Sequence, residues 1–164
     1  MRMFSRTFRL LVMLGSLTLA AMTSTRAAET DPAILSTVDA AIAAINAGSV
    51  ADTQAFLESP TAITDDFPPF SWSGKKAVAD YTHDFKSIIA KDGITDWRFQ
   101  RDTPRSLYAT ETRAIAVVPT SNPFMLGGKT QSRAGDWLFI LAKTDGKWKV
   151  DVMSFVDSHH TMLP

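Results

Sequence analysis

The 164-residue chain contains no cysteine. That absence excludes disulfides, lipidation on cysteine and a thiol nucleophile, so the fold must stand on its core alone. Charge of one sign is missing as well, since 17 Lys and Arg face 17 Asp and Glu. The basic residues are scattered rather than striped, which offers no electrostatic footprint for a phosphate backbone and argues against a nucleic-acid partner. The apolar run from Leu10 to Met22 has 13 residues, short of the roughly 20 that span a bilayer. There is no GxSxG elbow, and no repeat or low-complexity linker divides the chain.

Arg2, Arg6 and Arg9 precede the apolar run, and small residues surround Ala27 and Ala28. This is the pattern of a secretory signal peptide over residues 1–27 rather than a stable membrane anchor. It implies a periplasmic or secreted protein, with one mature domain over residues 28–164. Removing residues 1–27 takes away four basic side chains and no acids, leaving 13 against 17 and a formal charge of −4.

Helical signals come first. Asp31 can cap a helix with Pro32 in its first turn, Ile34, Leu35, Val38, Ile42 and Ile45 share one face, and Gly48 stops it. Ser49 with Asp52 predicts a shorter helix carrying Phe56 and Leu57 and closed by Pro60. A short strand, Ala62 to Asp65, follows. Val78, Tyr81, Phe85, Ile88 and Ile89 then predict a third amphipathic helix ending near Gly93, with Val78, Phe85 and Ile89 nearly inaccessible and His83 on the solvated face. Strand signals dominate the rest: Trp97 and Phe99, Ala114 to Val118, Trp137 to Ala142, and Trp148 to Val156 after a TDGK turn. Helices grouped early and antiparallel strands grouped late predict an α+β domain, a curved sheet wrapped around the helices as a half-barrel with one open mouth.

Two motifs are weak. GGKT at 127–130 lacks the earlier glycine of a phosphate loop, Pro123 standing in its place, and is read as a turn between strands. The DSHH tail, Asp157 to His160, has no third His or Cys nearby, and the adjacent His159 and His160 point apart on an extended chain, so no metal site is expected.

The stretch TAITDDFPPFSWSG, residues 61–74, carries more. Alternation puts Ile63 and Asp65 on one face and Thr64 and Asp66 on the other, so one carboxylate at most looks inward. In a dry pocket that acid has its pKa raised and becomes a base near neutral pH. A second acid kept protonated there could donate to a developing enolate. Otherwise Asp65 and Asp66 are the polar end of a strand. Phe67, Phe70 and Trp72, spaced around Pro68 and Pro69, form either a cavity lip or a plug.

The element order, together with long strands ending in DGKWKVDVMSFV, resembles the nuclear transport factor 2-like superfamily, in particular its SnoaL-like branch. The resemblance covers nearly all of residues 31–157. It implies a conical half-barrel of three N-terminal helices on a mostly antiparallel sheet. Ketosteroid isomerases of this superfamily place a catalytic aspartate at the end of the first strand, before a loop closing in Ser-Gly, where this chain has Asp65 ahead of Ser73 and Gly74. They carry an oxyanion-binding acid ten residues before the last hairpin glycine, which lands on Asp136, and a pocket aromatic that lands on Phe155. Their first-helix tyrosine has no counterpart among Ala40, Ala41 and Ala44. Tyr81 either reaches the cavity from another wall or packs in the core. The resemblance thus implies Asp65 and Asp136 as catalytic acids, and Phe67, Phe70, Trp72, Tyr81 and Phe155 as pocket residues. The expected ligand is a small apolar or amphipathic molecule, handled without cofactor or metal, with isomerase- or lyase-type proton transfer. The alternative is a noncatalytic module with a filled cavity that forms a homodimer through its sheet face.

Overall fold

A helix that must start at an exposed end needs acceptors for its first amides, and Asp31 supplies one: its side chain accepts the Ala33 amide at 3.0 Å. This opens α1 (Pro32–Ala47), which Gly48 ends at φ 59°. The computed structural model describes residues 31–48 and 54–158. The expected signal peptide, the Ser49–Asp52 cap and His159–His160 lie outside the described residues. The α1 stripe Ile34, Val38, Ala41, Ile42 and Ile45 is buried. Asp31 also accepts the Trp148 indole N–H at 2.8 Å, which ties the start of the helix to the last strand.

The predicted second helix is not formed where the chain is described. Residues 54–55 make one short helical turn, and Phe56 pairs in parallel with Val150. Leu57 donates its amide to the Val150 carbonyl at 2.9 Å. The sheet thus takes up the backbone bonds that a helix would have made internally, and Pro60 leaves no room to extend one.

The sheet is built on three long strands, β6 (Arg113–Leu126), β7 (Lys129–Thr144) and β8 (Lys147–Asp157). Both hairpins between them close in two residues with positive φ, Gly127 and Gly128 (57° and 74°), then Asp145 and Gly146 (51° and 74°). Such turns match the right-handed twist of the flanking strands. GGKT and TDGK are therefore hairpin turns. The strands are much longer than their hydrophobic centres suggested, because the register continues through polar residues as far as Lys129 and Lys147.

Ahead of the meander come β1 (Ala62–Thr64), β2 (Ser71–Trp72), α2 (Ala77–Lys91), β3 (Ile94–Thr95), β4 (Gln100–Arg101) and β5 (Ser106–Ala109). β1 runs parallel to β8 and antiparallel to β2, while β3, β4 and β5 each pair antiparallel with β6. Trp97 and Phe99 thus precede a strand rather than begin one. The order is β2-β1-β8-β7-β6-β3, with β4 and β5 also on β6.

Alternation selects the inward face: Ala116 and Val118 on β6, Trp137, Phe139 and Leu141 on β7, and Val150, Met153 and Phe155 on β8, all buried. This face curls around α1 and α2, giving an α+β conical half-barrel with two α-helices among the described residues. A bulge between Ile140 and Leu141 leaves Asp151 as an extra residue on β8. Asp151 accepts from the Thr61 hydroxyl at 2.6 Å and from Arg113 Nη1 at 2.7 Å.

Candidate functional site

Asp65 follows β1, so the alternation that sends Ile63 into the core sends the Asp65 side chain inward too; Asp65 is 9 % exposed, whereas Asp66 is exposed. One carboxylate oxygen accepts the Tyr81 hydroxyl at 2.8 Å, the other the backbone amide of Asp66 at 2.8 Å. Tyr81 is fully buried on α2, stacked against Phe85 at 5.9 Å and meeting Trp72 edge-on at 5.1 Å. Burial pushes the Asp65 carboxyl up to about 7, although the bonds from Tyr81 and the Asp66 amide pull the other way. Burial, and then the charge of Asp65, push the Tyr81 phenol well above its ordinary value, so it remains a donor.

Asp65 borders a cavity of about 90 Å³ at the open end of the half-barrel. Its apolar walls come from Phe67, from Phe85, Ile88 and Ile89 on α2, and from Phe99 and Phe155. The other polar groups lining it are Asp66, Asp92 and a single cation, Arg133. Arg133 bonds both Asp66 and Asp157, linking the β1–β2 loop to the end of β8. Phe85 and Ile89, predicted nearly inaccessible, are half-buried because they face this space, while Val78 is buried as expected.

The predicted site residues separate into three groups. Asp65, Phe67 and Phe155 line the cavity. Tyr81 and Trp72 lie behind that wall, Trp72 packing 5.1 Å from Phe67 and donating its indole N–H to Asp84 at 2.8 Å. Phe70 is 56 % exposed, turned outward at φ 71°. Asp136 does not join Asp65. It neighbours the inward-facing Trp137 and pairs in register with Pro119 and Val156, so strand parity puts it on the outer face. There it lies 3.1 Å from Arg105 Nε without hydrogen-bond alignment. Counting from the hairpin glycine missed the inward face by one residue.

Arg133, Trp97 and Phe99 were not singled out as site residues. A strand-parity signal existed for Arg133, since 133, 135 and 137 share a face and Trp137 is strongly apolar. Trp97 and Phe99 enter through an irregular segment, where periodicity carries no information. Among the described residues no three His, Cys, Asp or Glu side chains come together as metal ligands.

No family model matches the chain, and no curated protein matches it. Solved structures do. A nuclear transport factor 2-like protein with a cystatin-like fold from Novosphingobium aromaticivorans superposes with a TM-score of 0.64 at 12 % identity, over 80 % of this chain and 83 % of that one. A ketosteroid isomerase-like protein from Erwinia carotovora atroseptica gives 0.60 at 15 % identity, over 78 % and 95 %. A type 2 hexachlorocyclohexane dehydrochlorinase gives 0.63 at 10 % identity, over 78 % and 84 %. With its curled sheet, its inward-facing aspartate after the first strand and these neighbours, the chain has the nuclear transport factor 2-like, cystatin-like fold.

Proposed function

We propose that this protein binds a small apolar or amphipathic molecule at the mouth of the half-barrel and that Asp65 moves a proton on it, in an isomerase- or lyase-type reaction. The observation that carries this reading is a buried carboxylate, held by one neutral phenol, opening on a cavity with apolar walls. A carboxylate with a pKa of about 7 is matched to taking a proton from carbon beside a carbonyl at neutral pH. The electron pair of the broken C–H bond passes to the carbonyl oxygen as an enolate. Return of the proton at another carbon completes an isomerisation, and departure of a β leaving group completes an elimination. Arg133 is the cation at hand for the negative charge that develops.

The size of the cavity narrows the ligand. About 90 Å³ is below the roughly 150 Å³ of a dry cavity that accepts benzene, so the molecule has few heavy atoms, or else the half-buried α2 side chains move aside for it. Support for this chemistry comes from neighbours named for isomerisation and dehydrochlorination, at identities that speak for fold alone. In the same reading the chain is exported with its mature end near Ala28, and mass spectrometry of secreted material tests that step. Pairing with a second copy is favoured by Tyr108 and Val156, which stand 70 % and 60 % exposed on the outer sheet face.

The deciding experiment is deuterium exchange at the α-carbon of a small cyclic ketone. Asp65→Asn is expected to lower the rate by about 10²–10⁴, the usual contribution of a positioned base. An unchanged rate in that variant would remove Asp65 from the reaction.

A further inference from the structure

The face of α2 that borders the Asp65 cavity borders a second space as well. A groove of about 220 Å³ lies between Ile45 and Asn46 of α1 and Lys86 and Ala90 of α2, with Thr95 and Asp96 also along it. Residues four apart on a helix share one row, and three such rows of α2 stand side by side. Ile88 and Asp92 line only the cavity, Lys86 and Ala90 line only the groove, and Phe85 and Ile89 line both. Ile94 and Trp97 are shared too, so a single layer of apolar side chains divides the two spaces. A larger space bordered by Pro123, Phe124 and Met125 meets the cavity at Trp97 alone. The groove asks for little polarity in an occupant, because two of its polar groups are already bonded within the chain. The Asn46 amide exchanges hydrogen bonds with the Phe99 backbone at 2.9 and 2.8 Å, and Lys86 Nζ donates to the Gly48 carbonyl at 2.7 Å. Lys86 and Asp96, both exposed, carry opposite charges and together select no net charge.

We propose that cavity and groove form one binding site for an elongated ligand, with its carbonyl end at Asp65 and its apolar chain laid across the Phe85–Ile89 row into the groove. This rests on the proposal of proton transfer at Asp65 and adds the substrate class, a neutral ketone with a straight alkyl chain. The cavity alone, at about 90 Å³, holds the reacting end. Arg133 borders the cavity and not the groove, so the cation stays with the carbonyl oxygen. Phe85 and Ile89 are half-buried, and turning them aside joins the two spaces. Each methylene that leaves water for walls of this kind raises affinity about fourfold.

The test uses the straight-chain ketones from 2-butanone to 2-nonanone, with dissociation constants read by ligand-observed NMR on the full mature chain. Affinity is expected to rise about fourfold with each added methylene until the groove is full. Ala90 borders the groove and not the cavity, and it is exposed on α2, so a larger side chain there obstructs the groove and spares the reacting end. In Ala90→Trp, 2-nonanone is expected to lose about tenfold or more in affinity while 2-butanone binds as before. Ala90→Glu, which sets a charge beside the chain, is expected to act in the same direction. A flat series in the unaltered protein, including no measurable binding of any ketone, overturns the proposal. So does a rising series that both Ala90 variants leave unchanged, which would place the chain outside the groove. Failure of α-deuterium exchange on 2-butanone in the unaltered protein would count against Asp65 as the base, and the chain-length series would still decide the role of the groove independently.

Discussion

Two buried aspartates stand at the two ends of the same short strand, and the fold treats them in opposite ways. Asp151, beside Thr61 ahead of β1, is 8 % exposed, and Asp65, just past β1, is 9 % exposed. Burial acts to raise both. At Asp151 it is outweighed by the bonds from Thr61 and Arg113, which hold the carboxyl below its ordinary value. At Asp65 the compensation is one phenol and one amide with no cation, and burial wins. Similar exposure thus goes with a structural anion at one end and a titrating acid at the other, because the Asp65 carboxyl is the more deeply set of the two and Asp151 alone has a cation.

The comparison breaks most visibly at the closed end. Asp151→Ala removes the acceptor that Thr61 and Arg113 share at the bulge; both partners are exposed and return to water, and the expected cost is about 2 kcal/mol in urea unfolding. A loss under about 1 kcal/mol would mean that the network does not anchor β1. Next comes Gly135→Ala at the open end. An added methyl would run into the Phe155 ring and lie 2.8 Å from the Val156 carbonyl. Overpacking of this kind costs about 2 kcal/mol, and near-ultraviolet circular dichroism should report displaced aromatics.

The third prediction separates the two acids by pH. Asp65 has its folded pKa raised from 3.8 to about 7, so its proton is held more tightly in the folded state. Stability from this group is present below about pH 4 and is lost as pH rises to about 7, at up to about 1.4 kcal/mol per pH unit. Asp151 is lowered, so its contribution is present above the unfolded value and is lost as pH falls. Asp65→Asn should flatten the fall between pH 4 and 7 and leave the acid limb in place. Denaturation midpoints across that range check it, and an unaltered slope would place Asp65 in water. The smallest effect is that of Tyr81→Phe, about 1 kcal/mol of stability. Its sharper signature is the direction of the Asp65 titration by NMR, which should move further up, because the lost hydrogen bond was the leading opposing influence.

Much of this was legible in the residues. The stripe of α1, the polar exposure of His83 and the TDGK turn follow from local periodicity and turn chemistry, which act over a few residues and survive any tertiary context. Asp65 was legible for the same reason, since strand parity needs only its neighbour Ile63. Asp136 was misplaced because a count from a distant glycine carries no parity, and a one-residue error in a strand reverses the face. Phe56 was read as helical because its alternative, a bridge to Val150, depends on a partner far along the chain. The burial of Asn122 left no trace, since a buried amide and an exposed one look alike until the strand beside it is known.

The parallel pairing of β1 with β8 joins segments about ninety residues apart, as the Thr64–Ser154 hydroxyl contact marks. The β6–β7–β8 meander, by contrast, closes through adjacent residues at two tight turns. Local pairings form early and distant ones late, because a long loop must be closed before any bond rewards it. The carboxylate of Asp65 is therefore expected to reach its pocket near the end of folding, with the same joint opening ahead of the meander under native fluctuation. During refolding, the proton-transfer activity proposed for Asp65 should recover later than the sheet signal. Amide hydrogens of residues 62–64 should exchange faster than those of residues 137–141, although both groups belong to one continuous sheet.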